Sequence, residues 1–164
     1  MINELLNILR EKDSSNIDVN SDEIFKIHAS SIKKKPLLRS AYETFYNDML
    51  EACDRHFLAA GIEIELGSGV GFFKEIKKNI ITSEYKSRGL KFDMELDATN
   101  MKLADNSVKC FYATNVFHHI SFPTKFFKEL NRVLVVGGGC ILIEPHLGFM
   151  SKFLFKNIHK EEYF

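Results

Sequence analysis

The chain has 164 residues, with 22 Lys+Arg balancing 22 Asp+Glu to a formal net charge of zero, and 45% apolar against 27% charged residues. This is globular composition, neither disordered nor fibrous, and the length suits one domain with a real core. A neutral balance speaks against a nucleic-acid partner, which calls for a Lys/Arg excess on one face, but leaves room for a small ligand held by backbone groups.

The three cysteines, Cys53, Cys110 and Cys140, lie in apolar stretches. They read as buried free thiols of a reducing compartment, with no pair close enough for a metal knuckle, so no metal is expected. The N-terminus lacks the apolar run of a signal peptide. The most apolar stretch, 140–155, is interrupted by Glu144, Pro145, His146 and Lys152. No membrane span is expected, and the cytoplasm is the expected location.

In chain order, Asn20 with Glu23 three positions on reads as a capping box opening a helix to about Ile32. The run Lys33-Lys34-Lys35-Pro36 then breaks it. From Leu37 a long helix is expected, because Leu38, Tyr42, Phe45, Met49 and Cys53 recur at helical spacing, and Tyr46, Leu50 and Phe57 widen the stripe. Tyr42 and Tyr46 either pack with their hydroxyls at the rim or line a helix lying over a ligand cleft. Residues 1–60 thus read as an N-terminal helical extension or lid, and 61–164 as the core.

After Gly61 short strands alternate with helices. Strands are expected at 62–66, 80–83, 92–96, 108–114 and 140–143. A short helix buries Phe72, Phe73, Ile76 and Ile80. A second, with Pro123 in its first turn, buries Phe126, Phe127, Leu130, Val133 and Leu134, and Gly137-Gly138-Gly139 is expected to stop it. Such alternation implies right-handed crossovers and a parallel sheet covered on both sides, a doubly wound α/β domain.

Sheets of this kind bind ligands beyond the carboxyl ends of their strands. The loop after the first strand reads Glu65-Leu66-Gly67-Ser68-Gly69-Val70-Gly71. Alternate glycines let the backbone turn sharply and approach a ligand. The dinucleotide pattern G-x-G-x-x-G fails, because its third position is Phe72. Glu65, two residues before the first glycine, would repel a pyrophosphate and suits a ligand carrying an ammonium or sulfonium charge.

With these features residues 62–145 resemble the class I S-adenosylmethionine-dependent methyltransferases, in particular the small-molecule group known as type 11. The resemblance implies a Rossmann-like sheet of order 3-2-1-4-5 with helices on both faces, and S-adenosylmethionine as cofactor. Glu65, Gly67, Ser68, Gly69 and Gly71 would shape its methionine side. Glu84, 19 residues after Glu65, matches the acid that takes both ribose hydroxyls. Asp97 and Ala98 match the pair that reads the adenine edge. Similar segments continue through Leu103-Ala104-Asp105-Asn106-Ser107-Val108 and Asn115-Val116-Phe117-His118-His119-Ile120, with Asn115 among the expected cofactor contacts. Gly138-Gly139 and Glu144-Pro145 flank the fifth strand.

Two departures stand out. Glu63 falls where a central strand should be apolar, so the strand end is wetted or the residue finds a partner. The family also carries two further strands, which leads to the expectation of a truncated chain whose exposed fifth strand self-associates.

Methyl transfer is an in-line displacement that depends mainly on orientation, with a base required only for a hydroxyl or ammonium acceptor. His118 and His119, past the fourth strand, are the candidate bases and are indistinguishable at this level; His146 is a further candidate. The expected partner is an unidentified small-molecule acceptor. The competing readings are a nicotinamide-dependent oxidoreductase and a non-catalytic fragment or association module.

Overall fold

A computed structural model describes residues 22–86, 90–146 and 148. Two helices come first, α1 (Asp22–Lys34) and α2 (Pro36–His56). Pro36 opens α2, where its missing N–H has no helical partner to lose. Asn20 of the expected capping box lies outside the described residues.

The sheet comprises β1 (Ile62–Leu66), β2 (Ile81–Glu84), β3 (Met94–Glu95), β4 (Val108–Thr114) and β5 (Leu134–Ile143). The strands pair in parallel in the order β3-β2-β1-β4-β5, as expected, with β5 at one edge. Between them lie the single-turn helix α3 (Phe73–Ile76), a 3-10 turn (Phe117–His119) and α4 (Pro123–Val133).

Strand alternation sorts side chains into two cores. On one face Ile64 and Leu66 of β1 and Phe111 and Ala113 of β4 pack with Phe126, Leu130 and Val133 of α4. On the other, Cys110 and Tyr112 of β4 pack with Tyr46, Met49 and Cys53 of α2 and Phe72 and Phe73 near α3. The sequence of β1, Ile-Glu-Ile-Glu-Leu, therefore sends its two glutamates to the α2 side. Glu63 finds its partners there: its Oε2 accepts from the Tyr112 hydroxyl at 2.5 Å and pairs with Lys77, and Lys109 Nζ lies 3.5 Å from its Oε1. Burial alone would raise the Glu63 pKa, but the bonds from Lys77 and Tyr112 outweigh it and hold the carboxyl below its ordinary value.

Three element boundaries differ from expectation. The helix α3 is one turn, and β3 has two residues in place of five. The glycine triplet does not stop α4, which ends at Val133, but lies inside β5. The register explains this. Val108 pairs with Leu134 and Cys110 with Gly139, so β5 bulges between these points. A Cβ on Gly139 would come within 2.2 Å of the Phe57 ring beyond α2. The glycines thus let the end of α2 and β5 approach, a demand the one-dimensional pattern conceals. No helix among the described residues is long and apolar enough to cross a membrane.

Candidate functional site

The loop after β1 is stitched to the end of β2. Ser68 N–H donates to the Ser83 carbonyl at 2.9 Å, Ser83 N–H to Ser68 Oγ at 3.0 Å, and Ser83 Oγ to the Glu65 carbonyl at 2.7 Å. Gly69 N–H donates to Glu84 Oε1 at 2.9 Å. Gly67, Gly69 and Gly71 all have positive φ, at 62°, 56° and 72°. A Cβ on Gly67 would lie 2.5 Å from Val116 Cγ2, whereas at Gly69 and Gly71 it would meet nothing within 4 Å among the described residues. Gly67 is therefore dictated by packing as well as conformation, while the next two glycines border open space.

Beneath this loop Glu65 is only 2% exposed. Its Oε1 accepts from the Tyr46 hydroxyl at 2.9 Å, and its Oε2 is buried with no hydrogen-bond partner among the described residues. Burial pushes the carboxyl up to about 7, and the nearby Glu84 charge adds to the rise, while the Ser68 and Tyr46 hydroxyls oppose it. An orphaned buried carboxylate oxygen marks a place for a cation or another donor. Together with the open flank of Gly69 and Gly71, it suits an ammonium-bearing nucleoside such as S-adenosylmethionine.

Asp97 lies two residues beyond β3, and its Oδ1 accepts both the backbone N–H and the hydroxyl of Thr99 at 2.8 Å. It thereby fixes the turn containing Ala98, which packs against the α4-side core. At the end of β4, Asn115 takes a positive φ of 58°, and its N–H donates to the Ile143 carbonyl at 2.8 Å. Val116 beside it forms the wall against Gly67.

Glu144, immediately after β5, organises the segment that follows β4. Its Oε1 accepts from the backbone N–H groups of Val116 at 3.0 Å and Phe117 at 2.8 Å, and its Oε2 pairs with His118 Nδ1. Burial would raise its pKa, but the His118 contact and the two backbone donors prevail and lower it. The His118 and His119 rings lie 4.1 Å apart between centroids, and it is His118 that reaches Glu144. His146, exposed, lies two residues beyond Glu144.

Among the expected site residues, Glu65, Gly67, Ser68, Gly69, Gly71 and Glu84 are thus gathered into one bonded unit. Asn115 joins it through its neighbour Val116, while Asp97 and Ala98 form a separate turn past β3. Two residues gain their specific partners only in the structure. Tyr46, expected either to pack or to line a ligand cleft, donates to Glu65, a pairing its helix stripe does not announce. Glu144 reads in the sequence as a strand-end acid, but its bonds to the 116–118 segment depend on β4 and β5 being neighbours.

Residues 64–142 match the family model described as "Methyltransferase domain". None of the curated proteins matches the sequence. Among solved structures, a Methanococcus maripaludis protein named as a candidate S-adenosyl-L-methionine-dependent methyltransferase matches with a TM-score of 0.58 at 15% identity, over 88% of this chain and 75% of that one. A SAM-dependent methyltransferase from Thermotoga maritima matches with a TM-score of 0.52 at 24% identity, over 73% of this chain and 65% of its own length. At these identities the two likenesses establish the fold. The family match runs from β1 to β5 and takes in the glycine loop at the end of β1, so residues 64–142 are similar to that methyltransferase domain, and the two solved methyltransferases share the fold of the chain.

Proposed function

We propose that the protein binds S-adenosylmethionine above the loop 65–71 and transfers its methyl group to a small-molecule acceptor by in-line displacement. The observation that carries this reading is the orphaned Glu65 Oε2 beneath a glycine loop whose Gly69 N–H is held by Glu84. Glu65, Gly67, Ser68, Gly69 and Gly71 would hold the methionine portion, Glu84 the ribose hydroxyls, Asp97 and Ala98 the adenine, with Asn115 closing the β4 side. When bound, the cofactor supplies an already activated methyl group, so the protein's task is chiefly orientation, which in general can contribute about 7–11 kcal/mol.

The acceptor would approach past the segment following β4. If it carries a hydroxyl or ammonium, a base must remove its proton. Of the two adjacent histidines, His118 is favoured, because Glu144 fixes its ring and would stabilise the imidazolium formed. A small acceptor agrees with the zero net charge, and the cytoplasm remains the proposed location.

The test is a calorimetric titration with S-adenosylhomocysteine, followed by incubation with methyl-labelled cofactor and a panel of small amines and hydroxyl compounds. Saturable binding lost in Glu84→Ala supports the reading. Absence of binding at millimolar ligand would sink it and leave the non-catalytic fragment as the better account.

A further inference from the structure

We propose that Tyr46, carried by α2, is the positioning residue that sets the Glu65 carboxyl toward the cofactor's ammonium, making α2 part of the cofactor site. This rests on the cofactor reading above and extends it to a helix outside the matched residues 64–142. Tyr46 is 4% exposed and donates its hydroxyl to Glu65 Oε1 at 2.9 Å. Its ring stacks on Phe73, which begins α3 just after the glycine loop, with centroids 4.2 Å apart and planes 10° from parallel. Phe73 in turn meets Tyr112 of β4 edge-on at 5.2 Å. The phenol is therefore fixed at both ends, its ring by the residue closing the loop and its hydroxyl by the acid beneath it. With one carboxylate oxygen committed to Tyr46, Oε2, which has no partner among the described residues, is the one left for the ligand.

The bond also governs the charge of Glu65. A hydroxyl donating to a carboxylate stabilises the ionised form, so it opposes the burial that holds this acid near 7. The other titratable groups around Glu65 are Tyr42 on α2, Glu84 at the end of β2 and Tyr112 on β4. Burial raises the phenol pKa values of Tyr42 and Tyr112, keeping both neutral at physiological pH. The Glu84 charge instead disfavours ionisation of Glu65. An incoming ammonium requires the carboxylate, so binding below about pH 7 expels a proton.

The experiment is S-adenosylhomocysteine titration of wild type and Tyr46→Phe between pH 6 and 8.5, at each pH in two buffers of different ionisation enthalpy. Phenylalanine keeps the ring stack and removes only the hydroxyl. In the wild type, affinity should climb through a midpoint near pH 7, with proton release at pH 6.5 that fades by pH 8.5. In Tyr46→Phe the midpoint should move upward, with affinity about 10-fold weaker at pH 7 and recovering as pH rises. Identical pH profiles for the two proteins would overturn the role of Tyr46 while leaving the cofactor reading intact. A wild type that binds without releasing a proton at pH 6.5 overturns it too, whether or not the variant folds. If wild type binds no S-adenosylhomocysteine at any pH, the cofactor reading itself falls and this inference with it.

Discussion

Glu84 Oε1 accepts the Gly69 backbone N–H at 2.9 Å, joining the last residue of β2 to the middle of the loop after β1. One carboxylate thus shapes the loop and stands where ribose hydroxyls are expected. The two duties separate by substitution. Glu84→Gln keeps an oxygen for Gly69 but loses the charge, and should weaken S-adenosylhomocysteine binding ~10-fold with little change in melting temperature. Glu84→Ala loses both and should cost ~100-fold, since bonds to charged groups contribute about 1.5–3 kcal/mol. Calorimetry and thermal melts on both variants check this, and full affinity in Glu84→Ala would remove the assignment.

The three loop glycines should respond unequally. Alanine at Gly67 suffers both a left-handed backbone and a contact 2.5 Å from Val116 Cγ2, whereas at Gly69 it suffers the backbone alone. The backbone penalty is about 1–2 kcal/mol. Gly67→Ala should therefore destabilise the fold more than Gly69→Ala in urea unfolding, and Val116→Ala added to Gly67→Ala should recover part of the difference. Gly69→Ala should instead act on ligand binding, because its new methyl projects into open space.

The parallel doubly wound sheet was legible because strand–helix alternation is a local signal, its order came from the family resemblance, and the sharp turn at 67–71 was legible because its glycine spacing sits within a few residues. What stayed hidden depends on pairing between distant elements. Gly138 and Gly139 read as a helix stop because the approach of Phe57 to Gly139 and of the Lys109 carbonyl to Gly138 leaves no trace in the strand's own pattern. Glu63 looked misplaced until Tyr112, Lys77 and Lys109 converged on it. His118 and His119 were equivalent in sequence, and the β4–β5 pairing that delivers Glu144 to His118 distinguishes them.

Glu144 holds two backbone donors and His118. Glu144→Ala should leave the Val116 and Phe117 N–H groups without this acceptor and cost about 1–3 kcal/mol of stability. Its folded pKa is lowered, so its contribution is present above the ordinary carboxyl value and disappears as pH falls through the folded one. The stability gap between wild type and Glu144→Ala should accordingly narrow in acid. If His118 is the base, Glu144→Gln should lower the methylation rate of a hydroxyl acceptor more than it lowers S-adenosylhomocysteine affinity. An equal loss in both would point to a purely structural carboxylate.

Glu65 should make the ligand-free protein lose stability as pH rises from mild acid to neutrality. Its pKa is raised from an ordinary 4.5 to about 7 in the folded state. The protonated acid is thus favoured by folding, and the associated stability is full below pH 4.5 and lost as pH climbs to about 7. The loss is on the order of 3 kcal/mol at most, because each tenfold change in an acid's ionisation constant is equivalent to about 1.36 kcal/mol. Glu63, Asp93, Glu129 and Glu144 are shifted downward, so their losses fall at acid pH, outside this window. Glu65→Gln cannot titrate. Urea midpoints measured at pH 5, 6, 7 and 8 should therefore show wild type losing ground to Glu65→Gln as pH rises, and saturating S-adenosylhomocysteine should restore the wild type alone. A constant difference across that range would mean that Glu65 does not titrate there, and that its burial exacts no cost for the ligand's charge to offset.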